Sequence, residues 1–334
     1  MKTAGAKMGE LTRDAGAAVA FLRRAKRVLI TSHSAPDGDA IGSELGLLEL
    51  AERLGVTGAV VNRDPHPASL AFLPGLDRVT VQDAPPAGFE RDFDLVVTLE
   101  CPGLDRPDLA GLDRLPILNI DHHLANERYG ALDFVDEEAP AVGEMVLAMA
   151  AAAGVPVSPA MATCLYTALV TDTGDFRYSN ATPRAFAAAA RLVAAGAAPH
   201  VIAEALHEHV PERVVRLTAA VLGTLELLAG GRLALITCDR AMLDAAGARP
   251  EDTESLINVP RAIDGVQVAV LLKTFPPNGV RASLRSRGVV DVQAVARRFG
   301  GGGHRAAAGC TITLPAERAR QALLAELIPI LENS

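Results

Sequence analysis

Hydrophobic positions in the first half of the chain alternate between two textures. Short unbroken apolar runs, Arg27-Val-Leu-Ile-Thr31, Gly58-Ala-Val-Val-Asn62, Asp94-Leu-Val-Val-Thr-Leu99 and Pro116-Ile-Leu-Asn-Ile120, read as strands buried on both faces. After the first of them, Ser43-Glu-Leu-Gly-Leu-Leu-Glu-Leu-Ala-Glu-Arg-Leu54 repeats its apolar residues at helical spacing, and Gly55 stops it. Strands of this kind separated by helices predict a parallel sheet with helices on both faces. From Ala141 to about Gly230 the pattern is almost wholly helical and rich in alanine. Thr182-Pro183 supplies an N-cap followed by proline at the first helical position. Pro211 opens a further helix, predicted to run to Leu228 and to end at Gly230-Gly231, a natural connector.

Beyond the connector the texture changes. Arg232-Leu-Ala-Leu-Ile-Thr-Cys238 predicts a strand, and Val266 to Thr274 with Val280 to Arg285 a hairpin around Pro276-Pro277-Asn278-Gly279. Asp291 to Phe299 reads as a helix, followed by four glycines, a strand near Cys310 to Leu314 and a final helix. The expected fold class is therefore α/β. An N-terminal parallel-sheet domain covers 1–208, a connector helix 209–230, and a smaller mixed-sheet α/β domain 231–334, with the active site in the cleft between them.

Composition narrows the partners. Across 334 residues, 49% are hydrophobic and 22% charged, the balance of a core-forming chain rather than a disordered one. A net charge of −8 excludes a general duplex-DNA binder, which needs surplus Lys and Arg on its binding face. The four cysteines, Cys101, Cys164, Cys238 and Cys310, are far apart and form no CxxC, so they read as buried thiols in a reducing, cytoplasmic setting. The first sixteen residues carry no apolar signal core. The longest uncharged apolar run, Met145 to Val157, is shorter than the roughly 20 residues a membrane span needs. No membrane partner is expected, and the chain reads as a monomer or homodimer.

The chemistry sits at predicted strand ends. His33-Ser-Ala-Pro-Asp37-Gly-Asp39-Ala-Ile-Gly-Ser43 follows the first strand, Glu100 the strand ending at Leu99, and Asp121-His122-His123 the strand ending at Ile120. Ligands of open α/β sheets bind at the carboxyl ends of strands, so these residues can converge. Asp172 closes an apolar helical stretch that starts near Pro159. Pro36-Asp37-Gly38 alone would be an ordinary turn; the repetition at successive strand ends is what points to a site. So many carboxylates cannot crowd together ionised without a cation. Oxygen donors with a few imidazoles and no thiolate suit Mn²⁺ or Mg²⁺. A pair of such ions about 3.5–4 Å apart hydrolyses phosphoesters by lowering the pKa of a bridging water and clamping phosphoryl oxygens.

A second signal lies in Gly300-Gly-Gly-Gly303-His304, which lacks the GK[ST] ending of an ATPase phosphate loop. Consecutive glycines expose backbone N–H groups to an anion. Arg281, Ser283, Arg285 and Arg287 share one parity on the preceding strand and predict a ridge of guanidinium groups.

Together these residues resemble the DHH phosphoesterase superfamily over essentially the whole length. Asp121-His122-His123 is the naming triplet, and His33-x-x-Pro36-Asp37-Gly38-Asp39-Ala-x-Gly42-Ser43 is similar to the family's first motif. Thr171-Asp172-Thr-Gly174-x-Phe176-Arg177 is similar to its fourth, and Gly301-Gly-Gly-His304 with Ala-Ala-Gly309 to its DHH-associated C-terminal domain. Length and layout look most like the bifunctional oligoribonuclease (nanoRNase) and 3′-phosphoadenosine 5′-phosphate phosphatase branch.

The resemblance implies an enzyme that trims short single-stranded RNA to mononucleotides, and often dephosphorylates the nucleotide bisphosphate, using two Mn²⁺ per chain, or Mg²⁺ or Co²⁺. It implies one metal on His33, Asp37 and the motif-two acid, and another on Asp39, the same acid, His122 and Asp172. His123 would meet the scissile phosphate, with Asp121 orienting its neighbours. Ser283, Arg285, Arg287, Gly302, Gly303, His304 and Arg177 would bind substrate. The motif-two acid is usually Asp; this chain has Glu100, one methylene longer. The same site could act on cyclic or linear dinucleotides (c-di-AMP, pApA or pGpG), or, were Glu100 a lesion, serve only to bind nucleotide. A processive RecJ-type nuclease fits less well, since 4% aromatics and no Trp leave few stacking platforms.

Overall fold

The computed structural model describes residues 4–275, 279–288 and 290–332, leaving out the side chains of 4–10 and of His304. By its internal contacts the chain divides into two units, Met1–His209 and Val210–Ser334.

In the first unit the elements run α1 (Ala4–Leu22), β1 (Arg27–Thr31), α2 (Gly38–Arg53), β2 (Thr57–Asn62), β3 (Val79–Val81), α3 (Phe89–Asp92), β4 (Leu95–Leu99), β5 (Ile117–Asp121), β6 (Leu132–Val135), α4 (Val142–Ala153), α5 (Pro159–Asp172), α6 (Pro183–Ala194) and α7 (Pro199–His207). The six strands pair in parallel in the order β3-β2-β1-β4-β5-β6. The order reverses between β1 and β4, and the carboxyl ends of strands flanking such a switch point form the binding crevice of open α/β sheets.

Strand parity sorts the core into two layers. Val28, Ile30, Val97, Leu99, Leu118 and Ile120 point to one face, where α1, α2, α4 and α5 supply the packing partners. Leu29, Val96 and Ile117 point to the other, covered by the short α3 around Phe89 and by Leu109 and Leu112. The predicted strands β1, β2, β4 and β5 are present within a residue at each end. β3 and β6, too short and mixed to stand out in the pattern, extend the sheet at both edges.

Helix α2 begins at Gly38, five residues before its periodic apolar run, because Asp37 is its N-cap: the carboxylate accepts from the N–H groups of Asp39 and Ala40, both at 3.0 Å. Pro36-Asp37-Gly38, an ordinary turn if read alone, thus starts a helix. Two glycines let α2 lie close to α5. A Cβ on Gly38 would fall 2.5 Å from the Thr171 side chain, and one on Gly42 would run into the backbone carbonyl of Cys164. Replacing Gly42 by Ala gains roughly 1 kcal/mol of helix propensity but forces backbone apart, at about 1–3 kcal/mol. With backbone rather than a movable side chain in the way, the second effect wins. Gly42→Ala is expected to lower the Tm of thermal unfolding by about 5 °C, checked by circular dichroism.

The second unit contains α8 (Glu212–Leu222), β7 (Glu226–Leu228), β8 (Leu233–Cys238), α9 (Arg240–Ala246), α10 (Asn258–Arg261), β9 (Val268–Lys273), β10 (Val280–Ser286), α11 (Val292–Arg298), β11 (Gly302–His304), β12 (Ala307–Ile312) and α12 (Ala316–Glu332). Its sheet is mixed, in the order β11-β12-β10-β9-β8-β7, with β8 and β9 parallel and the other neighbours antiparallel. The predicted hairpin of β9 and β10 is present, although its turn at 276–278 lies outside the described residues. The connector helix is shorter than predicted. It ends at Leu222, where Thr224 Oγ1 donates back to the Val221 carbonyl at 2.7 Å while accepting from the Thr237 N–H at 2.8 Å, and Glu226–Leu228 pairs with β8 as an edge strand. The glycine run is also not wholly a loop: Gly302 and Gly303 pair with Gly309 and Ala308.

No single helix among the described residues is long and apolar enough to cross a membrane; α6 and α7 pass that test only jointly, as a pair bent by 107°.

Candidate metal centre

Each acid or imidazole at the β1, β4 and β5 ends is placed by an identifiable local constraint. Asp39, in the first turn of α2, is fully buried. It accepts from Ser43 Oγ at 2.8 Å and, across the fold, from the backbone N–H groups of Val142 and Gly143 at 2.7 and 3.0 Å. It thereby caps α4, whose own N-cap is Ala141 and offers no side-chain acceptor. These three bonds occupy both lone pairs of Oδ1 and one of Oδ2, leaving one directed donor. Burial pushes the Asp39 pKa up, with the nearby His122 opposing it.

Glu100 ends β4 in the left-handed region, at φ 59°, a conformation that costs a non-glycine residue about 1 kcal/mol. The strain turns its carboxylate inward, where it is 4% exposed and Oε1 has no hydrogen-bond partner. Burial, and then the charge of Asp39, push its pKa well up. An unpartnered buried carboxylate oxygen is costly unless a cation meets it.

His122 donates from Nδ1 to the carbonyl of Ala139 at 3.0 Å, which fixes the tautomer and leaves Nε2 facing Glu100 Oε1 at 3.4 Å and Asp172 Oδ2 at 3.8 Å. Burial lowers its pKa, but the neighbouring carboxylate of Glu100, then those of Asp39 and Asp172, outweigh this and raise it to about 11. Asp172, at the end of α5, is held by Asn180 Nδ2 at 3.3 Å; burial and then Asp39 push it up to about 7. Three acids with raised pKa values around one imidazole are the electrostatic signature of a site built for a cation. Donor atoms of Asp39, His122 and Asp172 lie within 4.8 Å of one another, as do those of Glu100, His122 and His123. The residues present fit a divalent ion: carboxylates predominate, one imidazole is tautomer-locked, and one buried oxygen lacks a partner.

His123 is 40% exposed, and its Nδ1 donates to Asp121 Oδ1 at 2.7 Å. The buried Asp121 also accepts from Asn126 Nδ2 at 2.6 Å. Burial raises the Asp121 pKa, but the bonds from His123 and Asn126 prevail and hold it low.

His33 and Asp37 stand slightly apart. His33 donates from Nδ1 to the Ser34 carbonyl at 2.9 Å, and its Nε2 is 4.0 Å from Asp37 Oδ1. Among the described residues, no group of three donors within 4.8 Å of one another includes either of them.

The second unit places its predicted residues separately. Arg281, Ser283 and Arg285 share one side of β10, while Arg287 lies past the end of the strand. Arg285 is part-buried. Burial lowers its pKa; Glu254 opposes the fall and Arg261 adds to it. Gly302 and Gly303 lie on the edge strand β11, and the side chain of His304 is outside the described residues. Arg177 bonds within its own loop, to the Gly174 carbonyl and the Asp175 carboxylate, both at 2.7 Å.

Sequence reasoning did not reach Ala139, Asn126, Asn180 or Arg261. The first three act through a carbonyl or an amide with no motif of its own.

Residues 27–169 match the DHH family, N-terminal domain, and 236–333 the DHHA1 domain. The chain is 35% identical over 291 residues to a bifunctional oligoribonuclease and PAP phosphatase NrnA of Thermus thermophilus, covering 85% of this chain and 84% of that protein. It is 29% identical over 283 residues to a probable enzyme of the same description from Streptococcus mutans, covering 84% and 88%. Among solved structures, an exopolyphosphatase-related protein from Bacteroides fragilis superposes with a TM-score of 0.86 at 26% identity, over 95% of this chain and 98% of that one.

Proposed function

The chain belongs to the DHH family and is a phosphoester hydrolase, and from that premise we propose that it trims short oligoribonucleotides to mononucleotides and converts 3′-phosphoadenosine 5′-phosphate to AMP. The observation that carries this reading is the buried, unpartnered Glu100 Oε1 beside the tautomer-locked His122, among acids whose pKa values are raised by burial first and by their neighbours' charges second. The relatives' names supply the substrate class.

In this reading Asp39, Glu100, His122 and Asp172 hold one divalent ion, and His33 and Asp37 supply further donors for a second. We take both to be Mn²⁺, with Mg²⁺ or Co²⁺ as substitutes. Bound there, such ions would supply a water of lowered pKa and charge neutralisation for phosphoryl oxygens.

The chain's own groups do the rest. The Ala139 carbonyl keeps the His122 Nε2 lone pair free for a metal. Asp121 holds the His123 ring by its Nδ1 proton, so Nε2 is left to stabilise charge on the scissile phosphate. In the second unit, Ser283, Arg285 and Arg287, with His304 and the backbone N–H groups of Gly302 and Gly303, bind a further phosphate or terminal nucleotide.

The test is Mn²⁺-dependent release of mononucleotides from labelled di- to pentaribonucleotides, with phosphate release from 3′-phosphoadenosine 5′-phosphate in parallel. Wild type is expected to carry both reactions to completion, and Asp37→Ala and His122→Ala to lose both. Either variant within a few-fold of wild type, or an inactive wild type, overturns the reading.

A further inference from the structure

The acids and histidines above account for a phosphate but not for a base. Resting on the nucleotide reading, we propose that Tyr178 is the platform on which a nucleobase of the substrate stacks beside the metal centre. Three observations lead there.

The first is the path of the chain after Asp172. Gly174, Asp175 and Phe176 are consecutive left-handed residues, with φ of 56°, 58° and 59°. Such a run persists only where its surroundings over-determine it, and stored backbone strain clusters at ligand sites. Here Thr173 anchors it: its carbonyl accepts from the N–H groups of Arg177 and Tyr178 at 3.1 Å each, and its Oγ1 accepts from the Phe176 N–H at 3.2 Å. Asp175 pairs with Arg177 at 2.7 Å and with His207 at 2.8 Å.

The second is where the strained turn puts the tyrosine. Its ring lies against Gly174 so closely that a Cβ there would collide with three ring atoms. Two residues later the chain returns to the site, with Asn180 Nδ2 bonding Asp172 Oδ2 at 3.3 Å and the Asp172 carbonyl at 3.2 Å. Tyr178 is therefore tethered from both sides to the segment that carries a metal-centre acid.

The third is exposure. Among the described residues only Tyr178 and Phe186 are exposed aromatics, at 49% and 53%. Phe186 is stacked on Phe176 with ring centroids 5.0 Å apart, whereas Tyr178 has no ring partner. A flat exposed ring on the segment that also supplies Asp172 matches the base half of a nucleotide whose phosphate the acid cluster's cation would hold. Stacking accepts every base because each has a π-face, which suits an enzyme acting on RNA of any sequence.

The structural alternative is that the ring only shields Gly174. It is separated by the choice of variants and substrates. Wild type, Tyr178→Leu and Tyr178→Phe are compared on diadenylate and on the same dinucleotide with one base removed. Leucine still covers Gly174 but has no π-face; phenylalanine keeps both. The ratio of KM for the abasic substrate to KM for diadenylate is expected to fall about tenfold in Tyr178→Leu and to be retained in Tyr178→Phe. An unchanged ratio in Tyr178→Leu, or an equal loss of kcat on both substrates, overturns the proposal.

A readout without turnover is available because the chain has three Tyr and no Trp. Binding of AMP is expected to quench tyrosine fluorescence in wild type but not in Tyr178→Phe; quenching that persists in Tyr178→Phe also overturns it. Failure here with wild type still degrading diadenylate removes the platform alone. An inactive wild type removes the functional reading and the platform with it.

Discussion

Glu100→Gln is expected to lower kcat/KM on short oligoribonucleotides by about a thousandfold or more, near 4 kcal/mol of transition-state stabilisation, and at the same time to make the metal-free protein more stable. The two effects share one cause. Glu100 is a buried carboxylate with a raised pKa, an unpartnered oxygen and Asp39 as a repelling neighbour. Burial makes its charge unfavourable in the empty fold, and His122 at 3.4 Å offsets only part of that cost, which a divalent cation would offset further. The amide removes that charge, fills nearly the same volume and can donate to Asp39, so repulsion becomes a hydrogen bond. In EDTA at pH 8 the variant should melt several degrees above wild type, and added Mn²⁺ should raise its Tm far less than that of wild type. A Glu100→Gln protein that keeps activity within tenfold, or that melts below wild type in EDTA, contradicts this account. Glu100→Asp is the informative companion. Aspartate tolerates the left-handed backbone better but reaches one methylene less far, so it tests whether the longer acid is required here or merely accepted.

The parts of this site legible in the sequence were those that local patterns encode. Unbroken apolar runs mark β4 and β5, and each is followed at once by its acid or histidine, so parallel pairing alone brings Glu100 and His122 together. What stayed hidden depends on contacts far apart in sequence. Asp39 caps a helix 103 residues away, and no spacing announces it. Asp37 reads as a turn former because its neighbours are Pro36 and Gly38, yet it caps α2. β3 and β6 are legible only as partners of β2 and β5, since an edge strand needs no strong pattern of its own. The connector helix was over-extended because Leu225 to Leu228 continues an apolar texture; pairing with β8, which the sequence around 226 does not reveal, decides the matter.

The same electrostatics predicts how cation binding depends on pH. Asp172 and Glu44 are raised to about 7: Asp172 by burial and then Asp39, Glu44 by burial, which outweighs its hydrogen bond from Asn62. Glu100 and Asp39 are also raised. A carboxyl group with a higher pKa folded than unfolded binds its proton more tightly in the native state, so stability falls as pH rises from the unfolded value near 4 through the folded one. His122, raised to about 11, has the same sign but acts only above its unfolded value near 6.5, so it adds nothing to the fall at lower pH. Asp94, Asp121 and Asp252 are lowered and work oppositely, losing stability only as pH falls below about 4. Between pH 5 and 8, therefore, the metal-free protein should become steadily less stable. A cation reverses the balance, because it binds the ionised acids and displaces their protons. Saturation at about a hundred times Kd adds roughly 2.7 kcal/mol, or about 5–10 °C in a unit of this size. The Mn²⁺-induced rise in Tm should accordingly be small at pH 5 and largest near pH 8, with proton release measurable by calorimetry in buffers of different ionisation enthalpy. A Tm shift that is flat across this range, or larger at pH 5, would mean that the buried acids are not where the cation binds.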